Sequence, residues 1–143
     1  RDVERSRGLG DVYKRQEFTH SDLFPESVAT ICGDIPRAVA DFPIDKSTYV
    51  VIVTRGHKHD AEVLRACIGS PAAYIGMIGS KRKVTLIRDQ LVGSGTVTAE
   101  QFSRVYAPIG LNIGAVTVPE IAASIAAQLI AVRRGGSGGH LRL

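Results

Sequence analysis

Three short segments concentrate the residues of this 143-residue chain that could do chemistry. They are Arg55-Gly56-His57-Lys58-His59-Asp60, Gly76-Met77-Ile78-Gly79-Ser80-Lys81-Arg82-Lys83 and Pro108-Ile109-Gly110-Leu111-Asn112-Ile113-Gly114. The second has the sharpest chemistry. Gly79 lets a ligand approach the backbone closely, Ser80 suits a helix N-cap, and the first-turn amides point outward with partial positive charge beside Lys81 and Arg82. Cations at a helix start oppose the macrodipole, and a bound phosphate would account for them; the alternative is a solvated turn with a chance basic cluster. In the first segment, His57 and His59 stand two apart on a strand-to-helix turn without the further Cys or acidic ligands a metal would need. The expectation there is no metal, with Asp60 favouring the helix start and Gly56, His57 and His59 offering hydrogen bonds to a ligand. The third segment is almost chargeless. Its glycines, Gly110 and Gly114, and Asn112 suit tight turns, and its exposed amides would meet a planar or oxyanionic ligand; the alternative is a plain linker into the last helix.

The elements that must hold these loops follow from apolar spacing. Val28 to Cys32 reads as a strand, followed by a brief helix with Asp34 as N-cap and Pro36 in its first turn, ending before Pro43. Tyr49 to Thr54 is an unbroken, mostly β-branched run, as expected of a strand buried on both faces in the middle of a parallel sheet. Ala61, Leu64 and Ile68 recur at helical spacing with Cys67 beside them, which makes Cys67 a core residue. A strand at 73–78 precedes a helix lined by Val84, Ile87 and Leu91 that stops at Gly93-Ser94-Gly95. Thr98 with Gln101, and Thr117 with Glu120, have capping-box spacing on either side of a strand at 104–107. In the last helix an Ile121, Ile125, Leu129 and Val132 stripe, flanked by Ala122, Ala123, Ala126 and Ala127, is expected to pack closely on the sheet. Strand-helix alternation with short connections implies an α/β fold: a parallel sheet with helices on both faces. All three loops then lie at the carboxyl ends of successive strands, where such sheets bind ligands.

Composition bounds the rest. With 44% hydrophobic, 22% charged and 6% aromatic residues, the chain can bury a core as a soluble globular domain. Its net charge is +4, and five bases against three acids within residues 1–16 carry half of that excess. The remainder is nearly balanced, which excludes a broad nucleic-acid face. The apolar stretch from Ile121 to Val132 is about half the ~20 residues of a bilayer span and is interrupted by Ser124 and Gln128, so no membrane helix is expected. Two cysteines, Cys32 and Cys67, without Cys-x-x-Cys spacing, fit a reducing, cytoplasmic setting. Residues 1–16 lack periodicity and are expected to be disordered or non-native. The run from Gly10 to Gln16 resembles translated sequencing-adapter read-through, which would put the native start near Glu17 with upstream chain missing. The folded domain is thus expected over 17–134, followed by a flexible glycine-rich tail at 135–143. No Gly-x-Gly-x-x-Gly follows a first strand, so a complete dinucleotide fingerprint is absent.

The three motifs, with Thr54 to Asp60, Tyr74 to Lys83 and Ala107 to Ala115 in that order and Pro119-Glu120-Ile121-Ala122 closing the series, resemble the C-terminal Rossmann-like domain of the XdhC/CoxI family of bacterial accessory proteins. The resemblance covers about residues 17–134. It implies a Rossmann-like domain whose first βα unit is missing. It further implies a chaperone, active without turnover of its own, that matures xanthine dehydrogenase-type molybdenum hydroxylases. Such a protein binds the molybdenum cofactor (molybdopterin), supports its sulfuration and delivers it. The implied partner is the apo molybdenum hydroxylase, with a cysteine desulfurase and a second copy of the chain as further candidates. The family's glycine-rich first strand and helix, and its separate N-terminal domain with a cofactor-holding cysteine, have no counterpart in these residues. Asn112 also stands where an aspartate is usual. The cofactor-binding residues so indicated are Gly56, His57, His59, Gly79, Ser80, Lys81, Arg82, Pro108, Gly110, Leu111 and Gly114. The competing expectation is an NAD(P)-dependent oxidoreductase, for which His57 is the one plausible proton donor on the rim.

Overall fold

The computed structural model describes residues 10–13, 29–54 and 56–141, with side chains from Ala29 onward except that of His57. One domain is expected over 17–134 from the sequence; the structure parts the chain into two compact units, Arg1–Pro43 and Ile44–Leu143. The physical reason is that the described strands build two separate parallel ladders.

In the first unit, β1 (Gly10–Tyr13) pairs in parallel with β2 (Ala29–Cys32), Val12 standing opposite Ile31. This corrects the expectation of disorder for those four residues. Four residues are too few to show a period, and their order comes from a ladder with a partner distant in sequence. The rest of the 1–16 segment lies outside the described residues. Asp34 caps α1 (Ile35–Asp41) as its sequence position predicts, accepting a hydrogen bond from the Arg37 amide at 2.9 Å, and the helix gives way to extended backbone at Phe42, just before Pro43.

The second unit runs β3 (Tyr49–Ile52), α2 (His57–Cys67), β4 (Tyr74–Met77), α3 (Lys81–Gly93), α4 (Ala99–Ser103), β5 (Val105–Tyr106) and α5 (Val118–Arg134). Its sheet has the order β3-β4-β5 and is parallel throughout, with Tyr49 opposite Tyr74, Ile52 opposite Met77, and Gly76 opposite Tyr106. The central strand is β4, all four residues of which are buried. The strand expected in the middle, β3, instead forms an edge of this ladder, and Val51 and Val53 are 41% and 59% exposed. A strand's apolar composition permits burial on both faces, but the neighbours that arrive decide it.

Alternation along β4 divides the core. Tyr74 and Gly76 point to one face, where the Tyr74 hydroxyl meets Gln128 of α5; Ile75 and Met77 point to the other. The α2 helix contacts β3, β4 and α3 and contributes Leu64 and Cys67, both fully buried. Gly76 is required where it stands, because a Cβ there would collide with the Tyr74 hydroxyl and the Ile109 side chain. Tyr74 also lies between two other rings, its centroid 5.9 Å from Tyr49 and 4.8 Å from Tyr106, so a stacked ladder crosses all three strands.

The last helix departs from expectation. Its buried residues are Ser124 and Gln128; Ile121, Ile125, Leu129 and Val132 are half-buried, while Ala122, Ala123 and Ala126 face solvent. The loop before α5 presents backbone polar groups that apolar side chains cannot satisfy, so the helix turns its two polar residues inward. No helix among the described residues is long and apolar enough to cross a membrane.

Candidate functional site

Because the three strands are parallel, the segments that follow them leave the sheet side by side. The ladder continues beyond the strands: the Ile78 amide donates to the Ile52 carbonyl and the Ile109 amide to the Met77 carbonyl, each at 3.0 Å. The three loops singled out from sequence therefore share one edge, as expected.

A buried charge cluster pins the first two loops together. Asp60, in the first turn of α2, is wholly buried, and Thr54 just beyond β3 donates its hydroxyl proton to one carboxylate oxygen at 2.5 Å. The other oxygen is paired with the ammonium of Lys83, whose side chain is 14% exposed. Asp60 thus favours the start of its helix, and it also draws in a cation from the next one. The roles of Lys83 and Thr54 were not anticipated from the sequence. The signal available was an acid and a base in the opening turns of consecutive helices, which parallel topology places next to each other.

Once Lys83 is committed to Asp60, α3 keeps Lys81 and Arg82 exposed in a first turn without any acidic residue. Ser80 is the N-cap, as expected, its hydroxyl accepting from the Lys83 amide at 3.2 Å. The Lys81 and Arg82 amides precede the first intrahelical acceptor, and their donors point out with the helix dipole. Gly79 lies directly before the cap, close against the Lys83 methylenes. Gly79, Ser80, Lys81 and Arg82 therefore form one electropositive lip, with the chemistry of a phosphate or carboxylate site.

Beside it, Gly56 caps α2 through its backbone at φ 112°, a conformation that favours glycine. His57 opens the helix, but its side chain lies outside the described residues, as does Arg55. The imidazole of His59 lies along the helix with its Nδ1 3.6 Å from Glu62.

The third loop behaves differently. Gln128 accepts from the Tyr74 hydroxyl at 2.6 Å and from the Gly110 amide at 2.9 Å, and returns a hydrogen bond to the Gly110 carbonyl at 3.2 Å. The Ser124 hydroxyl donates to the Leu111 carbonyl at 3.0 Å, while the Leu111 amide donates to the Ser124 carbonyl at 3.2 Å. Expected to offer amides to a ligand, Gly110 and Leu111 are instead tied to α5, and Leu111 lines a cavity of about 360 Å³ with Tyr106, Gln128 and Gly136. Gly110 sits at φ 98° with the Ser124 hydroxyl where a Cβ would go. Pro108, Asn112 and Gly114 remain exposed. The loop is held rigidly by α5 and contributes shape to the rim more than donors. Burial pushes the Cys67 thiol up to about 12, which makes it an unreactive core group.

Fold and rim together define a Rossmann-like α/β domain with an electropositive lip at the carboxyl ends of its strands. The chain belongs to the XdhC Rossmann domain family, whose model matches residues 12–129. Over 132 residues it is 36% identical to the uncharacterized protein YqeB of Escherichia coli (strain K12), a match that takes in 92% of this chain and 24% of that protein. Over 120 residues it is 28% identical to a probable xanthine dehydrogenase subunit of Bacillus subtilis (strain 168), covering 84% of this chain and 34% of that one. Among solved structures, a crystal structure of a xanthine dehydrogenase from Bacillus halodurans superposes with a TM-score of 0.72 at 28% identity, over 88% of this chain and 35% of the other. The chain therefore spans between a quarter and about a third of the length of these relatives.

Proposed function

We propose that this chain is the cofactor-holding Rossmann domain of an accessory factor for a xanthine dehydrogenase-type molybdenum hydroxylase, and that its lip grips the phosphate of molybdopterin. The observation that carries this reading is the α3 start: two exposed cations in a first turn that has no acid, beside outward amides and a glycine, in a chain of the XdhC Rossmann domain family. A helix start arranged in this way opposes its own dipole unless an anion completes it. Lys81 and Arg82 would supply charge-assisted hydrogen bonds to phosphate oxygens, and Ser80 with Gly79 would set the distance of approach. Gly56, His57, His59, Pro108 and Gly114 would border the remainder of the cofactor. The bound group supplies the metal-dithiolene chemistry that the hydroxylase uses; the residues of this domain bind and orient it. On this reading the factor supports sulfuration of the cofactor, with a cysteine desulfurase as the sulfur source, and hands it to the cytoplasmic apo-hydroxylase without turnover of its own.

The test is cofactor retention by the full-length protein. Molybdopterin that co-purifies is measured by the fluorescence of its oxidised pterin, in wild type and in the Lys81→Ala, Arg82→Ala double variant. Loss of two charge-assisted contacts at about 1.5–3 kcal/mol each predicts a fall in affinity of at least a hundredfold. Undiminished loading would remove the phosphate from α3. Retention of a nicotinamide dinucleotide in place of the pterin would favour the NAD(P)-dependent oxidoreductase.

A further inference from the structure

The aromatic stack that crosses the sheet ends at Tyr106 of β5, whose ring lies 4.8 Å from that of Tyr74 with the planes 17° from parallel. This strand is an edge of the ladder, and among the described residues no further ring stacks on the far side of Tyr106, which is 38% exposed. Tyr106 lines the cavity of about 360 Å³ beside α5, with Leu111 and Val132 as apolar walls. The backbone closes around it where α5 ends. Gly135 takes the left-handed conformation at φ 68°, the Gly136 amide donates to the Ala131 carbonyl at 2.8 Å, and Gly138 rests against Leu111. None of the lip residues Gly79 to Arg82 borders this cavity.

The polar groups left over at the cavity are donors. Gly110 fixes which way the Gln128 amide points, because its N–H requires the side-chain oxygen and its carbonyl requires the side-chain nitrogen. The Gln128 oxygen thus accepts twice, from Gly110 and from Tyr74, while the nitrogen gives one of its two hydrogens to the Gly110 carbonyl. Its second hydrogen has no acceptor among the described residues, although Gln128 lines the cavity and is only 8% exposed. A buried donor in that position calls for a partner. Ser137, also on the cavity wall, accepts from the Gly139 amide at 3.2 Å and keeps its own proton to donate.

We propose that this cavity binds a planar nitrogen heterocycle of nucleobase size, which stacks on Tyr106 and turns ring carbonyl oxygens toward Gln128 and Ser137. The volume stands at the small end of the roughly 300–1,000 Å³ typical of ligand sites, which suits a single ring system rather than a dinucleotide. The open aromatic face selects a flat ligand, and the two leftover donors select an acceptor edge. The site is separate from the lip and rests on neither its anion nor the cofactor proposed for it.

The probe is caffeine, a soluble flat heterocycle with ring carbonyls and no N–H; indole, flat with an N–H and no acceptor, is the control. Binding to the 143-residue chain is followed by saturation-transfer NMR, with circular dichroism of each variant as the check on folding. Caffeine is expected to bind saturably and at least about fivefold more tightly than indole. Tyr106→Ala is expected to weaken caffeine binding about fivefold or more, whereas Tyr106→Phe, which keeps the ring, binds as wild type does. Ser137→Ala, at an exposed position that leaves the fold intact, is expected to weaken it about twofold or more. Inorganic phosphate, the ion suited to the lip, is expected not to displace caffeine. The proposal is overturned by a lack of saturable binding, by equal affinity for indole, or by displacement with phosphate. It is equally overturned if folded Tyr106→Ala, or Ser137→Ala, binds caffeine as tightly as wild type.

Discussion

Replacing Lys83 by Met isolates the contribution of the buried ion pair that holds the rim. Methionine keeps the apolar stem that lies against Gly79 and removes only the ammonium. Asp60 would then be left with a wholly buried carboxylate and one neutral donor, Thr54. Removing one member of a buried pair costs about 3–5 kcal/mol, because the remaining charge is desolvated without compensation. Ile44–Leu143 is a unit of about a hundred residues, for which each kcal/mol shifts the melting temperature by about 4–8 °C. The expected loss is therefore at least about 12 °C. Urea unfolding followed by tyrosine fluorescence suits the measurement: the chain has no tryptophan, and three of its four tyrosines stack across the sheet of this unit. In the double variant Asp60→Asn, Lys83→Met, the charge is removed along with its partner, and most of the lost stability should return. If Lys83→Met alone stays within about 1 kcal/mol of wild type, the pair is solvated and cannot be what ties α2 to α3.

Three smaller perturbations examine other parts of the molecule. Gly110→Ala puts a methyl group into a positive-φ position already filled by the Ser124 hydroxyl, and should cost about 2 kcal/mol or more in urea unfolding. Glu120 titrates below the ordinary carboxylate value of 4.5 in the folded chain, so its stabilisation is full above that pH and fades as pH falls through the lower folded value. Glu120→Gln keeps the cap's acceptor, and the stability gap between it and wild type should close on acidification; a gap that is constant with pH would contradict the assignment. Iodoacetamide should label the exposed Cys32 rapidly and Cys67 only under unfolding conditions, as read by intact mass.

Much of this domain was legible because its signals are local. Asp34, Ser80, Thr98 and Thr117 each announce a helix start through side-chain chemistry acting within three residues, and each one caps in the structure. The loop positions follow from strand-helix alternation, since parallel pairing leaves one edge on which they can meet. The identities at the lip, Gly79 to Arg82, were also readable, because the opposition of cation and dipole is a property of adjacent residues.

What the sequence determined by itself, then, was the elements, their caps and the edge where the loops gather. The tertiary structure alone decided which residues those elements bury. Nothing in the run Tyr49 to Thr54 marks β3 as an edge, and nothing in Lys83 distinguishes it from Lys81, yet one is drawn inward by Asp60 and the other faces solvent. The same holds for α5, where apolar spacing suggested one buried stripe and the unmet backbone of Gly110 and Leu111 selected the neighbouring face, leaving that stripe half-buried. Burial depends on partners brought from afar by the chain's path, and a buried backbone group left without a hydrogen bond carries a cost that only a polar side chain at that place removes.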